Sequence, residues 1–253
     1  MDLSLFCNIY IIADYLRLKR VMESMPRYRA GVHGGIHVIR EYSGSVENRI
    51  VRISHAGSRN YTEMQKKLER YEYYKLKKNM YSEEIAKRRL SIPENFKFMR
   101  APSDYNFKAW EQYEACSNPR AVTTEYYDDY GFNVRSRGEM MVGNALKELG
   151  LEAKYEPTIE LRYGSKKNPD YSFPVRIIDR CFFIEFMGMI DDEGYMDGNY
   201  FKLDEYMRNG ILLNRDLIVI SGTKNWIPTQ ESLKRKIAFF INDAVMSAYE
   251  KYL

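Results

Sequence analysis

The seven residues Cys181–Met187 read CFFIEFM. A nearly continuous apolar run of this kind belongs to a strand covered on both faces. It forces a layered fold, with a sheet held between helices. It also contains one carboxylate, Glu185, and a lone acid in such a strand is costly unless it is paired or bound. The neighbouring sequence supplies the layers. Ser136 is an N-cap, with Glu139 three residues on in the Ser-x-x-Glu pattern of a capping box. The helix it starts carries Met140, Val142, Ala145, Leu146 and Leu149 as an apolar stripe and ends at Gly150. Leu151–Leu161 is a predicted strand, followed by a turn at Gly164. Tyr171–Ile178 and Cys181–Met187 are two further strands around Asp179-Arg180. Met196–Asn209 is a helix with Met196, Tyr200, Leu203 and Met207 on one side. DLIVIS, from Asp216 to Ser221, is a last buried strand, and Thr229–Leu253 is a closing amphipathic helix. The order α-β-β-β-α-β implies a mixed sheet flanked by helices, an α/β core in a chain that is α+β overall.

Ahead of this core the pattern changes. Residues 1–25 read as a helix stopped by Pro26. GIHVIREY and RIVRISH form a β-hairpin on either side of Ser43-Gly44-Ser45, with Arg40, Arg49 and Arg52 pointing outward. Residues 61–90 are helical and hold nine lysines and arginines against five glutamates, an excess equal to the net charge of +4 of the whole chain. Tyr71, Tyr73, Tyr74 and Tyr81 are interleaved with them. Such a helix suits a phosphate backbone, and equally suits a solvated face of mixed charge. A short helix from Ser103 to Ala115, N-capped by Ser103, sets Phe107, Trp110 and Tyr113 on one core-facing side. Residues 117–133 are polar and turn-rich and read as a linker. The expected division is therefore a helical and hairpin region over 1–120, suited to nucleic acid or a partner protein, and a second domain over 134–253.

Several classes are disfavoured. Three scattered cysteines without a Cys-x-x-Cys pair support neither a disulfide framework nor a zinc knuckle, which points to a reducing, cytoplasmic setting. The apolar stretch Leu3–Ala13 is too short for a bilayer and follows an acidic residue, so no membrane role is expected. No phosphate-binding Gly-x-x-x-x-Gly-Lys loop is present. His33 and His37 have a metal-like spacing but flank Gly34-Gly35 beside the hairpin.

Asp170 and Glu185 stand at the ends of adjacent predicted strands, and Glu139 lies on the helix before them. Two carboxylates about 4 Å apart repel by roughly 4 kcal/mol at an effective dielectric near 20. Such a pair calls for a proton or a cation, and Mg²⁺ takes oxygen ligands of this kind. Pro169-Asp170, fourteen intervening residues, Glu185 in an apolar strand and Glu139 on the preceding helix resemble the PD-(D/E)XK, or restriction-endonuclease-like, nuclease superfamily. The likeness spans about Arg135–Ser221. It implies a hydrolase that cuts DNA, with Mg²⁺ or Mn²⁺ held by Asp170, Glu185 and Glu139. The sequence departs from that pattern two residues after Glu185, where Met187 stands in place of the usual lysine. Lys202 on the next helix takes that role in the resemblance, as in members whose lysine has moved there. Arg135, Arg137 and Tyr206 are the implied substrate contacts, and Lys202, Tyr206 and Asn209 share one helical face. The wider series Glu185-Phe186-Met187-Gly188-Met189, Asp191-Asp192, Lys202, Tyr206 and Asn209-Gly210-Ile211 also resembles a group of uncharacterised bacterial and phage proteins with a charged helical N-terminal region. The alternative is a catalytically inactive module of the same fold that binds DNA or a protein; homodimerisation stays open.

Overall fold

The computed structural model describes residues 2–43, 49–93 and 104–250. The chain is α+β and divides into two compact units, one of Asn8–Phe96 and one of Met1–Cys7 with Lys97–Leu253.

The first unit is a three-stranded antiparallel sheet and two helices. Helix α1 (Asn8–Ser24) precedes strands β1 (Arg27–His33), β2 (Ile36–Tyr42) and β3 (Ile50–His55), and α2 (Tyr61–Lys87) follows. The sheet order is β1-β2-β3. The expected hairpin is thus β2–β3, and a third strand stands before it. Gly34 and Gly35, both with positive φ (57° and 77°), make the two-residue turn that joins β1 to β2. Residues 44–48 of the other turn lie outside the described residues. One sheet face is closed by α2: Tyr28 and Ile39 pack with Met64 and Tyr71, flanked by Met22, Met25, Tyr61 and Leu68.

The second unit holds the layered core. Its elements are α3 (Phe107–Gln112), the short pair β4 (Tyr126–Tyr127) and β5 (Asn133–Val134), α4 (Arg137–Glu148), β6 (Lys154–Tyr155), the short hairpin β7 (Ile159–Glu160) and β8 (Lys166–Lys167), β9 (Tyr171–Val175), β10 (Arg180–Met187), α5 (Glu193–Arg208), β11 (Leu217–Ser221) and α6 (Gln230–Glu250). Four strands make a mixed sheet in the order β11-β10-β9-β6, with β6–β9 and β9–β10 antiparallel and β10–β11 parallel. The parallel pair needs a crossover, which α5 supplies. The stretch Leu151–Leu161, expected as one strand, is two short ones that join different sheets.

The alternation of β10 assigns its two faces. Phe182 meets Phe240 of α6 edge-on at 5.1 Å, and Phe186 lies against Gly138 of α4. On the opposite face Cys181 and Phe183 join Tyr105, Trp110, Ile159, Leu161, Tyr206, Ile211 and Leu217 in one buried cluster, with Leu203 packed against it. The sheet therefore sits between α4 and α6 on one side and α3 and α5 on the other. Because Trp110 belongs to this cluster, the boundary between the units falls before α3 and not at residues 117–133. The helix is capped by Asn106, whose side chain accepts from Ala109 N; Ser103 lies outside the described residues. Helix α5 starts earlier than Met196, capped by Asp192. Its inward side carries Leu203 and Tyr206. Of the expected stripe Met196, Tyr200, Leu203 and Met207, Leu203 packs against the core while Tyr200 and Met207 face out.

Candidate active site

Glu185 lies on the β10 face turned toward α5. Its Oε2 accepts from Lys202 Nζ at 2.7 Å and its Oε1 from the Tyr206 hydroxyl at 2.7 Å. Lys202 and Tyr206 are i, i+4 on α5, so one helical face delivers both donors. The ammonium also donates to the Asn168 carbonyl at 3.0 Å, which ties α5 to the turn before β9.

Asp170 ends that turn. Tyr171 pairs with Ile184, so the next position of the antiparallel register sets Asp170 beside Glu185. Its Oδ2 accepts from the backbone N–H of Phe186 at 2.6 Å. Asp170 and Lys202 are half-buried while Glu185 is buried, so the cluster keeps a route to solvent.

Glu139, in the first turn of α4, is the third acid. Its backbone N–H donates to Ser136 Oγ at 3.1 Å, and that hydroxyl donates back to Glu139 Oε1 at 2.9 Å. Oε2 accepts from the Tyr155 hydroxyl at 2.7 Å and from Arg135 N at 3.0 Å. The carboxylate caps its helix and fastens it to β6.

The electrostatics join these groups. Burial pushes the Asp170 carboxyl well above the usual carboxylate range, the nearby Glu185 charge adds to the rise, and Lys202 opposes it. Burial also raises Glu185, against the pull of Lys202 and Tyr206. Glu139 is raised by burial too, opposed by Tyr155 and Ser136. Lys202 moves up despite burial, because Glu185 and Asp170 hold its proton. Asp170 and Glu185 thus share one ammonium, and the Glu139 charge raises both of them further. The excess negative charge must be met by protons or by a cation.

The oxygens differ in what remains to bind one. A carboxylate offers about four lone-pair sites. Glu139 already receives three donors, Glu185 two and Asp170 one. Among the described residues no three Asp, Glu, His or Cys side chains close into a metal-binding group. The donor set leaves lone pairs free on Asp170 and Glu185, where a hard cation such as Mg²⁺ could sit with its remaining ligands from water or phosphate. It does not fit Glu139 as a third ligand, because its oxygens are committed to Ser136, Tyr155 and the Arg135 backbone.

Other expected contacts are corrected. Arg135 does not reach outward. Its Nε and a terminal nitrogen grip Glu156 at 2.7 and 2.9 Å, and the Ala121 and Arg120 carbonyls each take one further donor. Tyr206 is fully buried and serves Glu185, not a substrate. Asn209 turns away from the cluster, bonding Tyr163 N and the Glu205 carbonyl. Arg137 is exposed at the start of α4. Met187, in the position where the superfamily pattern has lysine, is buried at 2% exposure. Tyr155 and Glu156 were not singled out in the sequence. A tyrosine in a short strand carries no sign that its hydroxyl will meet an acid sixteen residues away.

In the first unit Tyr71, Tyr74 and Tyr81 are buried, so α2 does not present a tyrosine platform. Within it Lys67 pairs with Glu63, Lys75 with Glu72 and Lys87 with Glu84, and Arg88 at its C-cap also reaches Glu84. No helix among the described residues is long and apolar enough to cross a membrane. No family model, curated protein or solved structure matches the chain.

Proposed function

We propose that the second unit is a metal-dependent nuclease of the PD-(D/E)XK kind, hydrolysing DNA phosphodiester bonds. The observation that carries this reading is the Asp170 carboxylate, at the head of β9, accepting from the N–H of Phe186 beside Glu185, with Lys202 delivered onto Glu185 from α5. The α-β-β-β-α-β order supports it, since the two acids come from consecutive strands and the lysine from the crossover helix.

Asp170 and Glu185 would hold Mg²⁺ or Mn²⁺, which when bound neutralises phosphate oxygens and lowers the pKa of a water. The protein's own groups do the rest. Tyr206 fixes the rotamer of Glu185 through Oε1 and leaves Oε2 to face Lys202. The Lys202 ammonium keeps its proton and sets a positive charge where a phosphodiester gains negative charge. Its second donor bond, to Asn168, holds it beside Asp170 and orients it before substrate arrives.

The test is cleavage of labelled DNA in Mg²⁺ or Mn²⁺ by the wild type and by Asp170→Ala, Glu185→Ala and Lys202→Ala. The wild type cleaves and each variant loses most of the activity. Equal cleavage by all four, or none by the wild type, overturns the reading. The buried Met187 favours a second reading, an inactive module of the same fold that binds DNA. Metal-dependent cleavage that vanishes with Lys202 excludes it.

A further inference from the structure

We infer that the outer face of the β1–β2–β3 sheet binds the phosphodiester backbone of nucleic acid. The alternation of side chains and the strand register define this face. Arg27, Arg29, Gly31 and His33 lie on it from β1, opposite Tyr42, Arg40, Val38 and Ile36 of β2, of which Val38 is buried and takes no part in the exposed surface. Ile53 and His55 of β3 continue it beside Arg40 and Val38. The other face carries Tyr28, Ile39 and Ser54 and is closed by α2.

Arg29 and Arg40 are direct cross-strand partners. Like charges in that position repel and destabilise a sheet. Among the described residues of the three strands no acid shares their face, because Glu41, the sole acid there, sits on the α2 side opposite Tyr28 and Arg52. Among the described residues neither Arg27, Arg29 nor Arg40 has an ion pair. The arginines are nevertheless held in place. The Arg29 guanidinium stacks over the Tyr42 ring at 5.5 Å. Arg40 lies across Gly31, where an added Cβ would stand 2.5 Å from its guanidinium nitrogen. Arg27 and Arg29 are two residues apart on one strand, roughly 7 Å, so the positive charge forms a row and fits a repeating anion better than a single one. His33 and His55, with ring centroids 6.2 Å apart, and the exposed Ile36 and Ile53 border that row with surfaces suited to sugars and base faces. On α2, Lys67, Lys75 and Lys87 each pair with a glutamate of the same helix, whereas among the described residues Arg29 and Arg40 of the sheet are held by a ring and a glycine and not by an acid.

The choice of nucleic acid as the polyanion rests on the nuclease reading; the geometry of the face does not. The test is fluorescence anisotropy of labelled duplex DNA with the full chain in chelator, over a range of salt. Arg29→Gln/Arg40→Gln is compared with Lys67→Gln/Lys75→Gln, which removes equal charge from α2. The sheet double lowers the slope of log K against log salt by about 1.8, from about 0.9 per phosphate contact, and weakens binding at least ten-fold at moderate salt. The helix double stays near wild type. Gly31→Ala displaces Arg40 without removing charge and gives an intermediate loss. Overturning results are equal slopes for the sheet double and wild type, equal losses in both doubles, or binding to phosphatidylserine vesicles but not to DNA. Cleavage is scored separately in Mg²⁺. Arginine-dependent binding without wild-type cleavage would sink the nuclease reading and leave this face standing, whereas cleavage with unchanged binding in the sheet double would sink the face alone.

Discussion

Lys202 Nζ lies 2.7 Å from Glu185 Oε2, although the two residues belong to a helix and a strand separated by a sharp turn. The bond supplies the cation that position 187 lacks. Met187 shares a face with Glu185, since side chains two apart on a strand point the same way. Lys202→Met is expected to lower cleavage by roughly 10²–10³-fold, the usual cost of losing one charge-stabilising donor. Adding Met187→Lys in that background returns an ammonium to the same face and recovers part of the loss. Steady-state cleavage of labelled DNA by the single and double variants reads this directly, and a double variant no better than the single one counts against a relocated lysine.

The Asp170 carboxyl predicts how the metal-free protein responds to pH. Its folded pKa stands above the value in the unfolded chain, about 3.9. Between the two, the folded state binds more protons, so this group's stabilisation is full below the unfolded pKa and is lost as pH rises through the folded one. Glu185 and Glu139 shift the same way. Melting temperature in chelator should therefore fall on raising the pH from mildly acidic to neutral, and fall less for Asp170→Asn. Mg²⁺ requires the ionised form, so its stabilising effect on the wild type grows over the same range. A flat chelator profile identical in the two proteins would refute the buried, charge-crowded Asp170.

Tyr206 holds Glu185 from beneath. Tyr206→Phe keeps the ring and removes the hydroxyl, which leaves Glu185 Oε1 without its donor inside the core. The expected loss is about 1–3 kcal/mol of stability, the cost of a buried acceptor left unmet. Denaturant unfolding measures it; binding of DNA in chelator should not change, since the hydroxyl faces no substrate.

How much of this was legible depends on what kind of information each residue carries. Glu185 stood out because a carboxylate inside CFFIEFM has no structural excuse, and Asp170 followed from a Pro-Asp turn one strand earlier. Lys202 and Tyr206 were legible as one helical face, but that face could not say whether Tyr206 pointed at substrate or at Glu185; burial decided it. The β1 strand was missed although its signal was present, because Gly34-Gly35 between two β-rich runs is a hairpin turn. The arginine pair on that sheet was hidden with it, since a cross-strand partner exists only once the register is known. Glu156 was out of reach for another reason: its bond to Arg135 joins two loops twenty-one residues apart, and charge counts name no partners.

That ion pair yields a further test. Arg135 is 21% exposed and Glu156 6% at the side chain. Removing the guanidinium takes two bonds from a buried carboxylate and leaves it the Asn118 amide at 3.0 Å. Arg135→Gln should cost roughly 2–3 kcal/mol, below the ~3–5 kcal/mol of a fully buried pair because the arginine keeps partial contact with water. DNA affinity should stay unchanged. An affinity loss at unchanged stability would instead restore Arg135 as a phosphate contact.

The tightest packing near the site is between α4 and β10. A Cβ at Gly138 would stand 1.9, 2.1 and 2.6 Å from three atoms of the Phe186 ring, distances no pair of carbons tolerates. Gly138→Ala must therefore push the ring or the helix aside, at about 1–3 kcal/mol for an overpacked core. Phe186 is also the residue whose backbone N–H holds Asp170, and Gly138 directly precedes Glu139, so the strain reaches both acids. The variant should lose cleavage more than its lowered melting temperature accounts for. Phe186→Leu in the same background makes room for the methyl group and is expected to return part of both. If the pair restores stability but not cleavage, the ring itself positions Asp170; if Gly138→Ala changes neither property, α4 and β10 are not packed as described.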